Sequence, residues 1–279
     1  MAEGNGRYNL AELMVCVSAR QLEDGKTAVI GTGMPLAAAM LAQKTTAPNL
    51  ITMFEAGGIA PQLIKLPLSV ADSYTMVGGL MHSSMNEIME ACQRGIVDYT
   101  FLGGAQIDMY GNLNSTLVGK DVQRPQVRLP GSGGANDLAS LCWRTLIITP
   151  HDRRHFVSKV DFLTTPGYLT GPGARERAGL PPGTGPYKVI STLALMGFDS
   201  GTKRMRVESL HPGATVEDVI ANTGFEMLFA DPLPVTLEPT DEELRVLGEE
   251  VDPQGLIIGR RQELRSRGWR FEHQGAAST

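Results

Sequence analysis

The chain has 279 residues and a mass of 30.0 kDa, with 42% hydrophobic and 20% charged residues. That is too much apolar material for a disordered chain and enough for one large domain or two small ones. Its formal net charge of −5 is the wrong sign for a duplex-binding domain. No apolar run approaches the ~20 residues of a membrane helix, and Met1–Gly6 lacks the basic-then-apolar order of a secretory leader. A cytoplasmic protein with neither nucleic acid nor membrane as partner is expected.

In chain order, Asn9 with Glu12 three residues on has capping-box spacing. Leu10, Leu13, Met14 and Val17 then recur at helical spacing, predicting a helix to about Gln21. Thr27-Ala28-Val29-Ile30 reads as a buried strand, Gly31-Thr32-Gly33 as a turn, and Pro35 as the opening of a helix over Leu36 to Gln43. Leu50 to Phe54 is the next strand, running into Glu55, so residues 27–54 predict a βαβ unit. Met85 to Gly95 predicts a helix with Met85, Ile88, Met89 and Cys92 on one face, followed by a strand at Tyr99 to Leu102. Further strands are predicted at Thr145 to Thr149, Phe156 to Leu163 and Tyr187 to Leu195. Two helices begin at Thr215 and Thr240, with Asp218 and Glu243 three residues in. The alternation predicts an α/β fold: an open, mostly parallel sheet with helices on both faces. Residues 1–259 are expected to form a single domain and 260–279 a polar, partly disordered tail.

The three cysteines, Cys16, Cys92 and Cys142, are sparse and far apart, which predicts buried thiols in a reducing compartment and no metal site. The histidines make no zinc pattern, and His151 and His155 read as part of a solvated turn. Glu55 is the carboxylate that stands out. It ends a strand, where open α/β sheets place their ligands, and it could serve as base, nucleophile or solvated turn acid. The glycines after it would let a substrate approach the backbone closely. Gly131-Ser132-Gly133-Gly134-Ala135-Asn136-Asp137 offers consecutive N–H groups near a helix start for an oxyanion or phosphate. It lacks a P-loop lysine, and a flexible surface loop is the other reading.

Taken together, several segments resemble the β subunit of glutaconate CoA-transferase-like enzymes, in the class I (family I) CoA-transferase family. They are Gly31-Thr32-Gly33-Met34-Pro35-Leu36, Ala47-Pro48 leading to Glu55, and Gly103-Gly104-Ala105-Gln106-Ile107-Asp108 with Tyr110-Gly111-Asn112. Gly131 to Asn136, Thr165-Pro166-Gly167, Gly171-Pro172-Gly173, Arg175-Glu176-Arg177 and Asn222-Thr223-Gly224-Phe225 complete the series. The resemblance implies that Glu55 attacks an acyl-CoA thioester and that the released CoA converts the resulting anhydride into a glutamyl-CoA thioester. A second carboxylic acid then takes the CoA. It implies that Gly133, Gly134 and Ala135 stabilise the oxyanions and bind CoA, and that Phe54, Ala56, Gly57 and Gln106 line the substrate pocket. CoA is a substrate, with no permanently bound cofactor. An α subunit is implied as partner, in a dimer of heterodimers or larger, with acyl-CoA and a carboxylic acid as the small-molecule substrates. Relatives of this fold that open steroid-derived rings hydrolytically, or decarboxylate a CoA thioester, are the alternative. Presence of Glu55 favours transfer. The bulk-free stretch Gly57-Gly58-Ile59-Ala60-Pro61 departs from the family and puts a dicarboxylate substrate in doubt.

Overall fold

A computed structural model describes residues 7–259; the expected tail at 260–279 lies outside the described residues. Helix α1 spans Leu10–Ala19, and Asn9 and Glu12 form a reciprocal capping box at its start, each side chain accepting the other's backbone N–H at 2.9 and 2.7 Å. Strand β1 (Thr27–Val29), helix α2 (Met34–Lys44) and strand β2 (Ile51–Met53) follow, with β1 and β2 parallel and Val29 opposite Met53. This is the βαβ unit that the sequence predicts. Next come β3 (Gly58–Ile59), β4 (Met81–His82), α3 (Met85–Gln93), β5 (Tyr99–Leu102), β6 (Gln106–Ile107) and β7 (Leu113–Asn114). A short hairpin, β8 (Leu117–Val118) with β9 (Val127–Arg128), leads to α4 (Ala135–Leu141), β10 (Arg144–Thr149) and α5 (Ala174–Arg177). The chain continues through β11 (Pro186–Ser191), β12 (Ala194–Phe198), β13 (Met205–Leu210), α6 (Val216–Ala221), β14 (Leu228–Phe229) and α7 (Asp241–Val246).

One ten-stranded sheet runs through the molecule in the order β14-β13-β12-β11-β10-β5-β1-β2-β3-β4. Its centre, from β11 to β2, is parallel, and antiparallel pairs extend it on both sides. Parallel strands need a covering layer on each face, and the side chains alternate accordingly. Phe54, Tyr99, Phe101, Leu146 and Ile190 pack with α1 and α2. On the other face Val29, Met53, Ile88, Cys92, Val97, Leu138 and Cys142 join α3 and α4. All three cysteines are buried free thiols, as their sparse spacing predicts.

Two expectations change. The segment from Phe156 to Leu163 is not a strand; Phe156 makes a single bridge to Ile107, and the backbone then turns away. Phe156 and Val160 are buried within this irregular loop, while Leu163 is exposed. The run from Tyr187 to Leu195 is not one strand but the end of β11, a tight turn and the start of β12.

His151 is buried rather than part of a solvated turn. Its Nδ1 lies 2.9 Å from Ser191 Oγ and its Nε2 3.0 Å from Thr223 Oγ1, and its ring stacks on Phe156 at 3.9 Å. His211, also buried, donates from Nε2 to the Ser191 carbonyl at 2.9 Å. Burial pushes both imidazoles down to about 4, against about 6.5 in an unfolded chain. Below that value the unfolded chain takes up protons that the fold refuses, so stability is complete above pH ~6.5 and lost as pH falls towards 4. Each histidine contributes a slope of about 1.4 kcal/mol per pH unit across that window. The melting temperature is therefore expected to drop steeply between pH 6.5 and 4.5, and less steeply in His211→Asn. A flat profile across the window would refute the assignment.

Candidate active site

The carboxyl ends of the parallel strands carry the candidate residues. Strand β2 stops at Met53 because the next four residues form a tight turn: the N–H of Gly57 donates to the Phe54 carbonyl at 2.9 Å, and that of Phe54 to Gly58 at 2.8 Å. The chain reverses there, and β3 runs antiparallel to β2 with Ile59 opposite Met53. Glu55 thus sits at the tip of a hairpin at the top of the sheet. Its neighbour Phe54 points the other way and is fully buried against α1 and α2. Phe54 anchors the turn instead of lining a pocket, while Glu55 and Ala56 remain partly exposed.

The glycines that follow have a packing reason. A methyl carbon on Gly57 would stand 2.0 Å from the Ser83 carbonyl oxygen, and one on Gly58 1.9 Å from that of Thr75. Both backbones are pressed under neighbouring chain, and Gly57 has a φ of +113° that L side chains rarely adopt. Their lack of bulk lets this turn pass under the backbone of Thr75 and Ser83.

The second candidate segment comes to Glu55 from a distant part of the chain. A methyl carbon on Gly134 would lie 2.8 Å from a Glu55 carboxylate oxygen and 2.7 Å from Cε of Met89. Gly134 itself has ordinary helical angles, φ −79° and ψ −1°, so what a side chain would meet here is the ends of Glu55 and Met89 and not backbone strain. The N–H of Ala135 is spent on the Ser132 carbonyl at 2.9 Å. The N–H groups of Gly133 and Gly134 have no hydrogen-bond partner among the described residues, and a methyl on Gly133 would meet nothing within 4 Å. The two candidate segments meet at Gly134 and Glu55. Met89 was missed, because on α3 its spacing marks only an apolar face.

Hydrogen bonds hold this loop in place. Ser115 and Gly131 exchange two of them, Gly131 N–H to the Ser115 carbonyl and Ser115 Oγ to the Gly131 carbonyl, each 2.8 Å. Asn136 Nδ2 donates to the Thr164 carbonyl at 2.8 Å. At the far end of α4, Arg175 is 2% exposed and donates to the carbonyls of Ala139 and Ser140 at 3.1 and 3.3 Å, and to Thr184 Oγ1 at 2.8 Å. A cation on the last carbonyls of a helix complements its negative end. Gln106 belongs to the same scaffold. It is 6% exposed; its Nε2 donates to Asp161 and its Oε1 accepts from Asn114 Nδ2 and Asp161 N–H, at 2.7–3.0 Å. Its side chain braces the loops beneath the site.

Among the described residues no group of three or more His, Cys, Asp or Glu could hold a metal ion, and no helix is long and apolar enough to cross a membrane. The site instead presents a partly exposed carboxylate beside the glycine turn at the start of α4. A carboxylate can add to an electrophilic carbonyl, and backbone amides aimed at the developing oxyanion would stabilise it.

Residues 12–222 match the family model described as coenzyme A transferase. The chain is 39% identical over 241 residues to the B-type subunit of 3-oxoadipate CoA-transferase from Pseudomonas knackmussii, spanning 86% of this chain and 92% of the relative. It is 36% identical to the B-type subunit of glutaconate CoA-transferase from Acidaminococcus fermentans, over 90% and 95% of the two chains. The crystal structure of that organism's glutaconate coenzyme A-transferase superposes with a TM-score of 0.86 at 34% identity, covering 91% of this chain and 98% of its counterpart. A more distant relative, 30% identical over 80% of this chain and 83% of its own length, is the cholesterol ring-cleaving hydrolase IpdB subunit of Rhodococcus jostii.

Proposed function

Since the chain belongs to the coenzyme A transferase family as a B-type subunit, we propose that it transfers CoA between carboxylic acids through a glutamyl-CoA thioester on Glu55. The observation that carries this reading is the Glu55 carboxylate lying against Gly134. Attack of a carboxylate oxygen on an acyl-CoA carbonyl gives a tetrahedral oxyanion, which collapses to an acyl-glutamyl anhydride and CoA thiolate. The thiolate then attacks the glutamyl carbonyl and the first acid leaves. Here the oxyanion forms on the Glu55 side chain itself, and donors fixed beside that side chain can serve both steps. The acceptor acid reverses the sequence. Loss of one such donor costs roughly 100- to 1000-fold.

The relatives at 36–39% identity are named for 3-oxoadipate and glutaconate, and on that likeness a short dicarboxylic acid is the proposed acyl group. Both relatives are B-type chains of two-subunit enzymes, which supports an A-type partner completing the site. The three buried free thiols fit a cytoplasmic setting. The likeness to a hydrolase subunit is more distant, and Glu55 favours transfer.

The test is direct. The two-subunit protein is incubated with the acyl-CoA of a short dicarboxylate, reduced with borohydride and digested. Reduction of a glutamyl thioester is expected to leave an alcohol at Glu55. Modification at another residue, or none with a substrate that turns over, would rule the nucleophile out.

A further inference from the structure

We propose that the β8–β9 hairpin binds the phosphorylated nucleotide end of CoA, with Lys120, Arg124 and Arg128 as its cations. This rests on the reading of the chain as a CoA-transferase subunit with its nucleophile at Glu55. The chain carries a net charge of −5, and Arg20, Arg144, Arg204 and Arg245 are each paired with a glutamate. Lys120, Arg124 and Arg128, like Lys65, Arg94, Lys159 and Arg177 elsewhere, are exposed and make no ion pair among the described residues, but these three fall within one hairpin. Geometry gathers them. Arg128 starts opposite Leu117, yet its Nη2 reaches the carbonyl of Val122 at 3.1 Å. The guanidinium therefore lies over the turn that carries Lys120 and Arg124.

The nearby acids are held by local hydrogen bonds, and Asp121 adds one exposed negative charge to the same turn. Asp121 Oδ1 accepts the Gln123 N–H at 2.9 Å, and Asp161 Oδ2 accepts from Gly119 N–H at 2.9 Å and from Gln106 at 3.0 Å. Val122 and Val127 on the same hairpin are 50% and 48% exposed, an apolar surface of the kind on which a purine ring packs. The base of the hairpin is tied to the candidate site through the Ser115–Gly131 pair and through the Leu129 N–H donating to Thr116 at 2.9 Å. Residues 115–120, with Leu117 and Val118 in β8 and Gly119 bending the chain at φ +116°, lead from that pair to the turn. CoA carries a pyrophosphate and a 3′-phosphate, and two guanidinium forks with one ammonium suit that charge.

The experiment uses the two-subunit enzyme with Lys120→Gln, Arg124→Gln and Arg128→Gln combined. The ratio of kcat/KM for acyl-CoA over acyl-pantetheine, which lacks the nucleotide, is expected to fall about 100-fold, the loss of two to three charge-assisted contacts. Calorimetric binding of 3′,5′-ADP is expected to weaken more than tenfold, and in the wild type to weaken as salt rises. An unchanged ratio, unchanged 3′,5′-ADP affinity or salt-insensitive wild-type binding would overturn the proposal. So would loss of the A-type partner in light scattering, which would make the hairpin a contact between the two chains. Should the triple variant not fold, Arg124→Gln alone and the wild-type salt series decide. If no acid accepts CoA at all, the transferase reading fails, while 3′,5′-ADP binding still tests the hairpin separately.

Discussion

Replacing Glu55 with alanine is expected to lower CoA transfer by 10⁴-fold or more, the scale on which covalent catalysis is lost with its nucleophile, and to leave the fold intact. Glu55 is partly exposed at the tip of the β2–β3 turn, whose shape comes from the backbone bonds of Phe54, Gly57 and Gly58. A surface residue in such a position changes stability by no more than about 0.5 kcal/mol. Glu55→Gln keeps the size and removes the nucleophilic oxygen, so it should be as inactive as alanine. Glu55→Asp withdraws the carboxylate by one methylene, and about 1 Å of misplacement costs roughly 100-fold. The assay follows free CoA and the new CoA ester together, with and without acceptor acid. Thioester cleavage at the same rate in both conditions, with no new ester across a panel of acids, would return the protein to the hydrolase reading. Substantial transfer by Glu55→Ala would end the covalent mechanism.

Gly134→Ala is expected to cost 100- to 1000-fold in kcat with little change in melting temperature. The backbone there is already helical, at φ −79°, so alanine brings no conformational strain. What it brings is a methyl group 2.8 Å from the Glu55 carboxylate oxygen and 2.7 Å from Met89. Met89 can swing aside on its flexible side chain, and Glu55 is displaced from the position it holds beside Gly134. Gly133→Ala is the contrast. It meets nothing within 4 Å but needs φ +48°, which costs roughly 1 kcal/mol of stability and leaves the carboxylate where it is. If Gly134→Ala retains full activity, the carboxylate does not work from its observed position. If adding Met89→Ala restores activity completely, the effect was packing against α3 alone.

Local signals were legible residue by residue. The boxes at Asn9, Thr215 and Thr240 all form as their spacing predicts, because a cap needs only residues three apart. The βαβ unit of β1, α2 and β2 was equally readable, and Glu55 could be singled out as a strand-end carboxylate. Short strands were harder. Strands β3, β4 and β6 to β9 are two residues each, below the length at which period-two alternation shows, and the apolar run after Phe156 went into a loop instead of the sheet.

The sequence by itself determined the α/β class, the family and the nucleophile candidate, since these rest on periodicity, caps and a series of local motifs. Only the tertiary structure decided that Glu55 rides a hairpin tip, that Gly57 and Gly58 are glycines for packing, and that Gly134 lies beside both Glu55 and Met89. The fold also spends Gln106 on bracing loops and gathers three unpaired cations over one turn. The reason is physical. Caps and turns are settled between near neighbours in the chain, whereas Gly134 reaches Glu55 only once α3 and α4 have packed together against the sheet that carries β2.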